Sequence, residues 1–327
     1  MQSIALLDTM TIILNISQIW LDTMHSRHME LFFIPAIFLT VTTLLVNPLL
    51  LICIFCLQTL RQETRYLLLA NTLMADMVFL CLNLAIVICA LLGVTVLRIV
   101  CELVIAGMIT AYCCTILTIT FMVVDTYVAV RWPLKYNKLL PPSRTLKIMV
   151  GIWLMASMYP ISLVIVMEAV GVQAPHQLPL CLVLLSLGSL GLDTTTVGVH
   201  LYFAIGVICC FLLILYCYVR LYVVTRTSGI WQQRYSRARL TLLAHCVMLL
   251  LYFSPALVFT VELGLFQNNM VSQEVSMWIT MSNMSMLMLL PRASSPFLYG
   301  LRYREIYHKL TTVLWRRQRL SQVSVQH

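Results

Sequence analysis

The stretch DTYVAVRWPLKY, residues 125–136, closes an apolar run, 103–124, that contains no Asp, Glu, Lys or Arg. A helix needs about 20 mostly apolar residues to cross the hydrocarbon of a bilayer, so this run is long enough to span, and Asp125 marks where it leaves the lipid. Arg131 and Lys135 follow at once. Lys and Arg collect on the cytoplasmic side of short loops, which places this end of the segment inside the cell.

The rest of the chain has the same character. Of 327 residues, 61% are hydrophobic and 10% charged, and the mean hydropathy is +0.93. That is more apolar surface than one soluble core can bury. Seven segments meet the length test: 31–57, 66–93, 101–124, 148–167, 195–222, 241–263 and 275–301. The reading is an all-α membrane protein, a seven-transmembrane helix bundle over 31–301, with an extracellular N-terminus, 1–30, and a cytoplasmic amphipathic helix and tail, 302–327. An eighth apolar run, 178–192, is too short and is broken by Pro179, Gly188 and Gly191, so it is expected to form an apolar outer loop.

Orientation follows from the 21 Lys and Arg. All but Arg27, Arg98 and Arg292 lie in the tail or in the segments after the first, third and fifth spans. The N-terminus is therefore expected outside and the C-terminus in the cytoplasm of a multi-pass plasma-membrane protein. The net charge of +9 flanks spans instead of forming one basic face, which argues against nucleic acid as a partner. Met1 to Leu7 lacks the basic start of a cleavable signal peptide, so the first span is expected to direct insertion. Asn15-Ile16-Ser17 is a glycosylation sequon on the outer side, whereas Asn283-Met284-Ser285 lies within a span and should stay bare.

Of twelve cysteines, ten sit in apolar spans and are read as small buried hydrophobes. Cys101 and Cys181 fall at the outer end of the third span and in the second outer loop. An oxidising compartment there allows a disulfide between them.

Several landmarks occur in a fixed order: Asn47 in the first span, LANTLMAD ending at Asp76, Cys101 upstream of Asp125, Trp153, Pro255, and SPFLYGLRYRE from Ser295. Together they make the chain resemble rhodopsin-like (class A) G-protein-coupled receptors over 31–314. PFLYGLR and the short third inner loop also resemble odorant receptors. The resemblance implies an orphan receptor that binds a ligand between its outer helix ends and rearranges its inner ends to engage a heterotrimeric G protein. It implies neither an enzyme nor a cofactor. His200 and His245 are isolated, without Cys, Asp or Glu at metal-ligand spacing, and read as packing residues.

The chain departs from the family at its polar positions. Thr126 stands beside Asp125 where the family has arginine, and no Asp or Glu occurs between Asp193 and Glu262, so the base of the sixth span offers no acidic partner. Coupling would then rest on Asp125, Tyr127, Tyr218 and Tyr299 at the inner cavity; the alternative is a receptor that does not couple. Asp76 corresponds to the family's sodium ligand, and a lone carboxylate in hydrocarbon must be neutralised or paired. Arg292, four residues before Pro296, is expected to replace sodium through a charge-paired, hydrogen-bonded contact with Asp76.

Tyr252-Phe253-Ser254-Pro255 replaces the family's Cys-Trp-x-Pro, with Pro255 kinking the sixth span and Phe253 either a rotamer switch or simple packing. Pro296 and Tyr299 keep the kink and tyrosine of the seventh span, while Ser295 stands for asparagine. Met108 fills the place of the amine-receptor aspartate, and Leu289 that of the retinal lysine. The resemblance puts Met108, Tyr112, Tyr202, Phe253, Thr260 and Ser285 around the pocket, a lining suited to a small neutral or lipid-like ligand.

After the seventh span, Ile306, Leu310, Val313 and Leu314 recur at helical spacing, and Arg304, Lys309, Arg316, Arg317 and Arg319 can meet anionic membrane lipids. Three other roles stay open: an odorant-type chemoreceptor, a non-signalling binding or chaperone receptor, and a transporter or channel. The last would call for internal repeats, and the sequence shows none.

Overall fold

The computed structural model describes residues 30–169, 177–178, 181, 194–227, 243, 246–255, 257–258, 261, 265 and 272–295. Its long helices are α1 (Glu30–Cys56), α2 (Thr64–Leu91), α3 (Arg98–Arg131), α4 (Pro142–Ala169), α5 (Thr194–Thr227), α6 (Cys246–Pro255) and α7 (Gln273–Ser282). A π-helical turn, Asn283–Leu287, follows α7 directly. Single helical turns at Gln58–Arg61 and Tyr136–Leu139 connect α1 to α2 and α3 to α4.

Four of these helices are long and apolar enough, among the described residues, to cross a membrane: Ile34–Cys56, Thr64–Cys89, Arg98–Arg131 and Pro142–Val166. Their outward faces are large and apolar. Phe38 is 69% exposed and Leu154 64% exposed, while Asn47, Thr72, Asp76, Thr115, Thr118 and Arg292 are fully buried. A polar interior beneath an apolar exterior is the pattern of helices dissolved in lipid, where burying oily side chains gains nothing and every polar group needs a protein partner. The threonines of α3 meet that requirement within their own helix: Thr110, Thr115, Thr118, Thr120 and Thr126 each donate to the carbonyl four residues earlier.

α3 is longer than its apolar run. With 34 residues it extends about 50 Å, longer than the ~30 Å of hydrocarbon, and Asp125 to Arg131 remain helical. It ends at Trp132, whose amide still bonds Val128. At the other end, α2 stops before Gly93, the described glycine whose φ of 62° no ordinary side chain adopts without strain. The chain then enters β1 (Val96–Leu97), which pairs antiparallel with β2 (Gln177–Leu178). Leu178 is thus the partner of Val96 in a two-stranded ribbon at the start of the segment expected to form a loop. Gly107 allows α2 and α3 to meet closely, because a Cβ there would come within 2.9 Å of Leu82 Cδ1.

Candidate functional site

The polar centre of the bundle is built around Asp76, which α2 places in the interior with no solvent exposure. Three hydroxyls from three other helices donate to it. Tyr252 of α6 bridges both carboxylate oxygens at 2.9 Å, while Ser295 donates to Oδ2 and Thr115 of α3 to Oδ1, each at 3.4 Å.

Arg292, equally buried, brings its Nε to 3.6 Å from Asp76 Oδ1. The two meet as charges, without the hydrogen bond that the sequence led us to expect across the pair. The reason is competition on both sides. The hydroxyls take the carboxylate's acceptor positions, and the guanidinium lies 3.5 Å from the ring centroid of Phe79 while Nη1 donates to the carbonyl of Met288. Tyr112 and Tyr252 complete an aromatic cage, each with its centroid 5.6 Å from the guanidinium carbon. Ring quadrupoles attract a cation that is poorly hydrated, which suits arginine at this depth.

A second buried cluster ties α2, α3 and α4. Trp153 Nε1 donates to Asn71 Oδ1 at 2.9 Å, and Asn71 Nδ2 donates to Thr118 Oγ1 at 2.8 Å. At the N-terminal end of α3, Cys101 and Cys181 form a disulfide, and Arg98 pairs with the buried Glu102 at 2.7 Å.

Beyond the C-terminal end of α3, Tyr136 donates to Asp125 Oδ1 at 2.8 Å. Thr126 turns back to the carbonyl of Met122. Tyr127 packs edge-on against Trp132, and Tyr218 of α5 is exposed. Thus the acid beside position 126 is held by a tyrosine of the following loop.

Of the residues assigned to the outer pocket, Met108 and Tyr112 are buried on α3 and Phe253 is partly buried on α6. Tyr112 spends its hydroxyl on the carbonyl of Tyr252, so it fastens α3 to α6. Pro255 is buried at the end of the described part of α6. Asn15, Thr260, Pro296, Tyr299 and the side chains of Tyr202 and Ser285 lie outside the described residues.

Sequence reading missed Tyr252, Phe79 and Tyr136 as members of these contacts. A signal existed for one of them: Tyr252 carries a hydroxyl three residues before a proline. Phe79 and Tyr136 had no sequence signal beyond being aromatic.

These features belong to one class of membrane protein. The pattern of the family described as 7 transmembrane receptor (rhodopsin family) matches residues 46–299, and the chain belongs to that family. It is a seven-helix receptor and not an enzyme. It is 35% identical, over 275 residues, to the human protein named Probable G-protein coupled receptor 148 (Homo sapiens), an alignment covering 84% of this chain and 79% of that relative.

Proposed function

We propose that this protein is a plasma-membrane receptor, N-terminus outside and C-terminus cytoplasmic, that binds a small neutral or lipid-like ligand and signals through a heterotrimeric G protein. The observation that carries the reading is the convergence of α2, α3, α6 and the chain after α7 on Asp76, between the outer end marked by the disulfide and the inner end marked by Asp125. Such a centre links the half where a ligand would enter to the half where a transducer would dock. The disulfide supports the orientation, since a bridge beside Arg98 favours an oxidising side, and Arg131 and Lys135 lie at the opposite end of α3. Arg292 takes the place of sodium, its fixed charge already facing Asp76.

Thr126 favours a second reading, a receptor that binds without signalling, because its hydroxyl is turned back into its own helix. A G-protein dissociation panel in cells separates the two. Release of at least one Gα class above that of mock-transfected cells supports coupling. Silence of both the wild type and Thr126→Arg across the whole panel overturns it. An odorant-type role would show as expression restricted to sensory epithelium.

A further inference from the structure

The contacts around Pro255 form a unit that the family assignment does not contain. Proline has no amide hydrogen, so the carbonyl four residues earlier, that of Leu251, loses its helical donor. Ser254 Oγ fills that role within the helix at 2.9 Å. The neighbouring helices hold the same turn from three sides. Tyr112 of α3 donates its hydroxyl to the carbonyl of Tyr252. Asn283, in the π turn after α7, donates Nδ2 to the carbonyl of Pro255 at 2.9 Å. Tyr252 itself reaches across to both oxygens of Asp76 on α2. All four residues that close this ring, Asp76, Tyr112, Tyr252 and Asn283, are buried.

From this geometry we infer that Tyr112, Tyr252 and Asn283 form a clasp that holds α6 at its proline against α2, α3 and the π turn, and that releasing the clasp is the step by which the bundle leaves its resting state. The inference rests on the signalling reading above only in its last clause. A proline weakens a helix at one turn and makes that turn a place to bend. Here the carbonyls of Tyr252 and Pro255 each accept from another helix, so bending must break buried hydrogen bonds that have no water to replace them. The π turn fits the same role: π-helical residues widen the helix locally and aim a side chain that a regular helix would direct elsewhere. Asn283 is the first residue of that turn. Tyr252 adds the link to the core, because the same residue presents its carbonyl to α3 and its hydroxyl to the carboxylate.

The test is peptide-resolved hydrogen exchange on the full-length receptor in lipid nanodiscs, together with basal G-protein release in cells, for Tyr112→Phe, Tyr252→Phe and Asn283→Ala, with Ser254→Ala as an intrahelical control. Each of the first three variants should speed exchange in the peptide covering residues 246–255 by about two- to tenfold, the range for losing one hydrogen bond, and leave α1 and α4 unchanged. Basal G-protein release should rise in the same variants, and Tyr252→Phe should give the largest change. Unchanged exchange in α6 for both phenylalanine variants overturns the clasp, as does an equal rise in all helices, which would mark a general loss of packing. Ser254→Ala matching them would also overturn it, because the effect would then belong to the helix alone. Faster exchange in α6 with no G-protein release from any variant leaves the clasp standing and overturns the signalling reading instead.

Discussion

Arg292 places its Nε 3.6 Å from Asp76 Oδ1, with neither side chain reaching solvent. Removing one member of a buried ion pair strands the other as an uncompensated charge, typically at a cost of about 3–5 kcal/mol, whereas removing both is far milder. Arg292→Ala should therefore lower the melting temperature of the purified receptor markedly, and the Asp76→Asn, Arg292→Ala double variant should recover most of the loss. Sodium should not stabilise the wild type, because the guanidinium already faces the carboxylate. It should stabilise Arg292→Ala. A double variant as unstable as Arg292→Ala alone would show that the arginine acts through its packing on Phe79 and not through charge.

The Cys101–Cys181 bridge joins the N-terminal end of α3 to a segment 80 residues away in sequence. Disulfides typically contribute about 2–4 kcal/mol, through a mechanism that is model-dependent. Cys101→Ser, Cys181→Ser and the double variant should lower thermal stability by similar amounts, since each removes the same bond. Additive losses in the double variant would contradict a bridge.

The apolar helices were legible because lipid imposes one simple rule, about 20 apolar residues per crossing. Asp76 with Arg292 could be paired on paper because isolated charges in hydrocarbon demand compensation. The manner of their meeting could not. Whether the carboxylate bonds to arginine or to Tyr252, Ser295 and Thr115 depends on helix rotation, which a uniformly apolar sequence leaves open; α3 has buried residues on nearly every side. The π turn at Asn283–Leu287 is likewise a product of packing, as NMSML has no feature that separates it from an ordinary helical run.

Asn71 joins three helices through Trp153 and Thr118, with both ends of its amide in use. Asn71→Leu leaves the partly buried indole N–H without its acceptor, a loss of about 1–3 kcal/mol. The Asn71→Leu, Trp153→Phe pair removes both partners and should be closer to the wild type in a thermal melt than the sum of the single changes. Strict additivity would mean that the indole finds another acceptor.

Tyr136 lies in the loop after α3, where burial and the adjacent Asp125 push its hydroxyl up from the ordinary value near 10. The sign follows from proton counting: above pH 10 the unfolded chain releases a proton that the folded chain retains. The contribution of this tyrosine is thus fully present below about pH 10 and declines as pH rises beyond it. Melting curves at alkaline pH should fall less steeply for Tyr136→Phe than for the wild type. Equal slopes would place Tyr136 away from Asp125 in the folded receptor.

Thr126→Arg tests the inner end directly. The new guanidinium would stand beside Asp125, whose carboxylate already accepts from Tyr136 at 2.8 Å, so it must compete for that acid or extend away from it. No Asp or Glu occurs between Asp193 and Glu262, so α5 and the base of the sixth span offer it no acidic partner to hold it in a resting position. An arginine without that restraint is free to meet a transducer. Basal G-protein release should therefore rise above that of the wild type, and Tyr136→Phe should reduce the rise by removing one competitor of the new side chain for Asp125. If basal and stimulated release are both unchanged, position 126 does not limit coupling, and the tyrosines of the inner cavity carry the contact on their own.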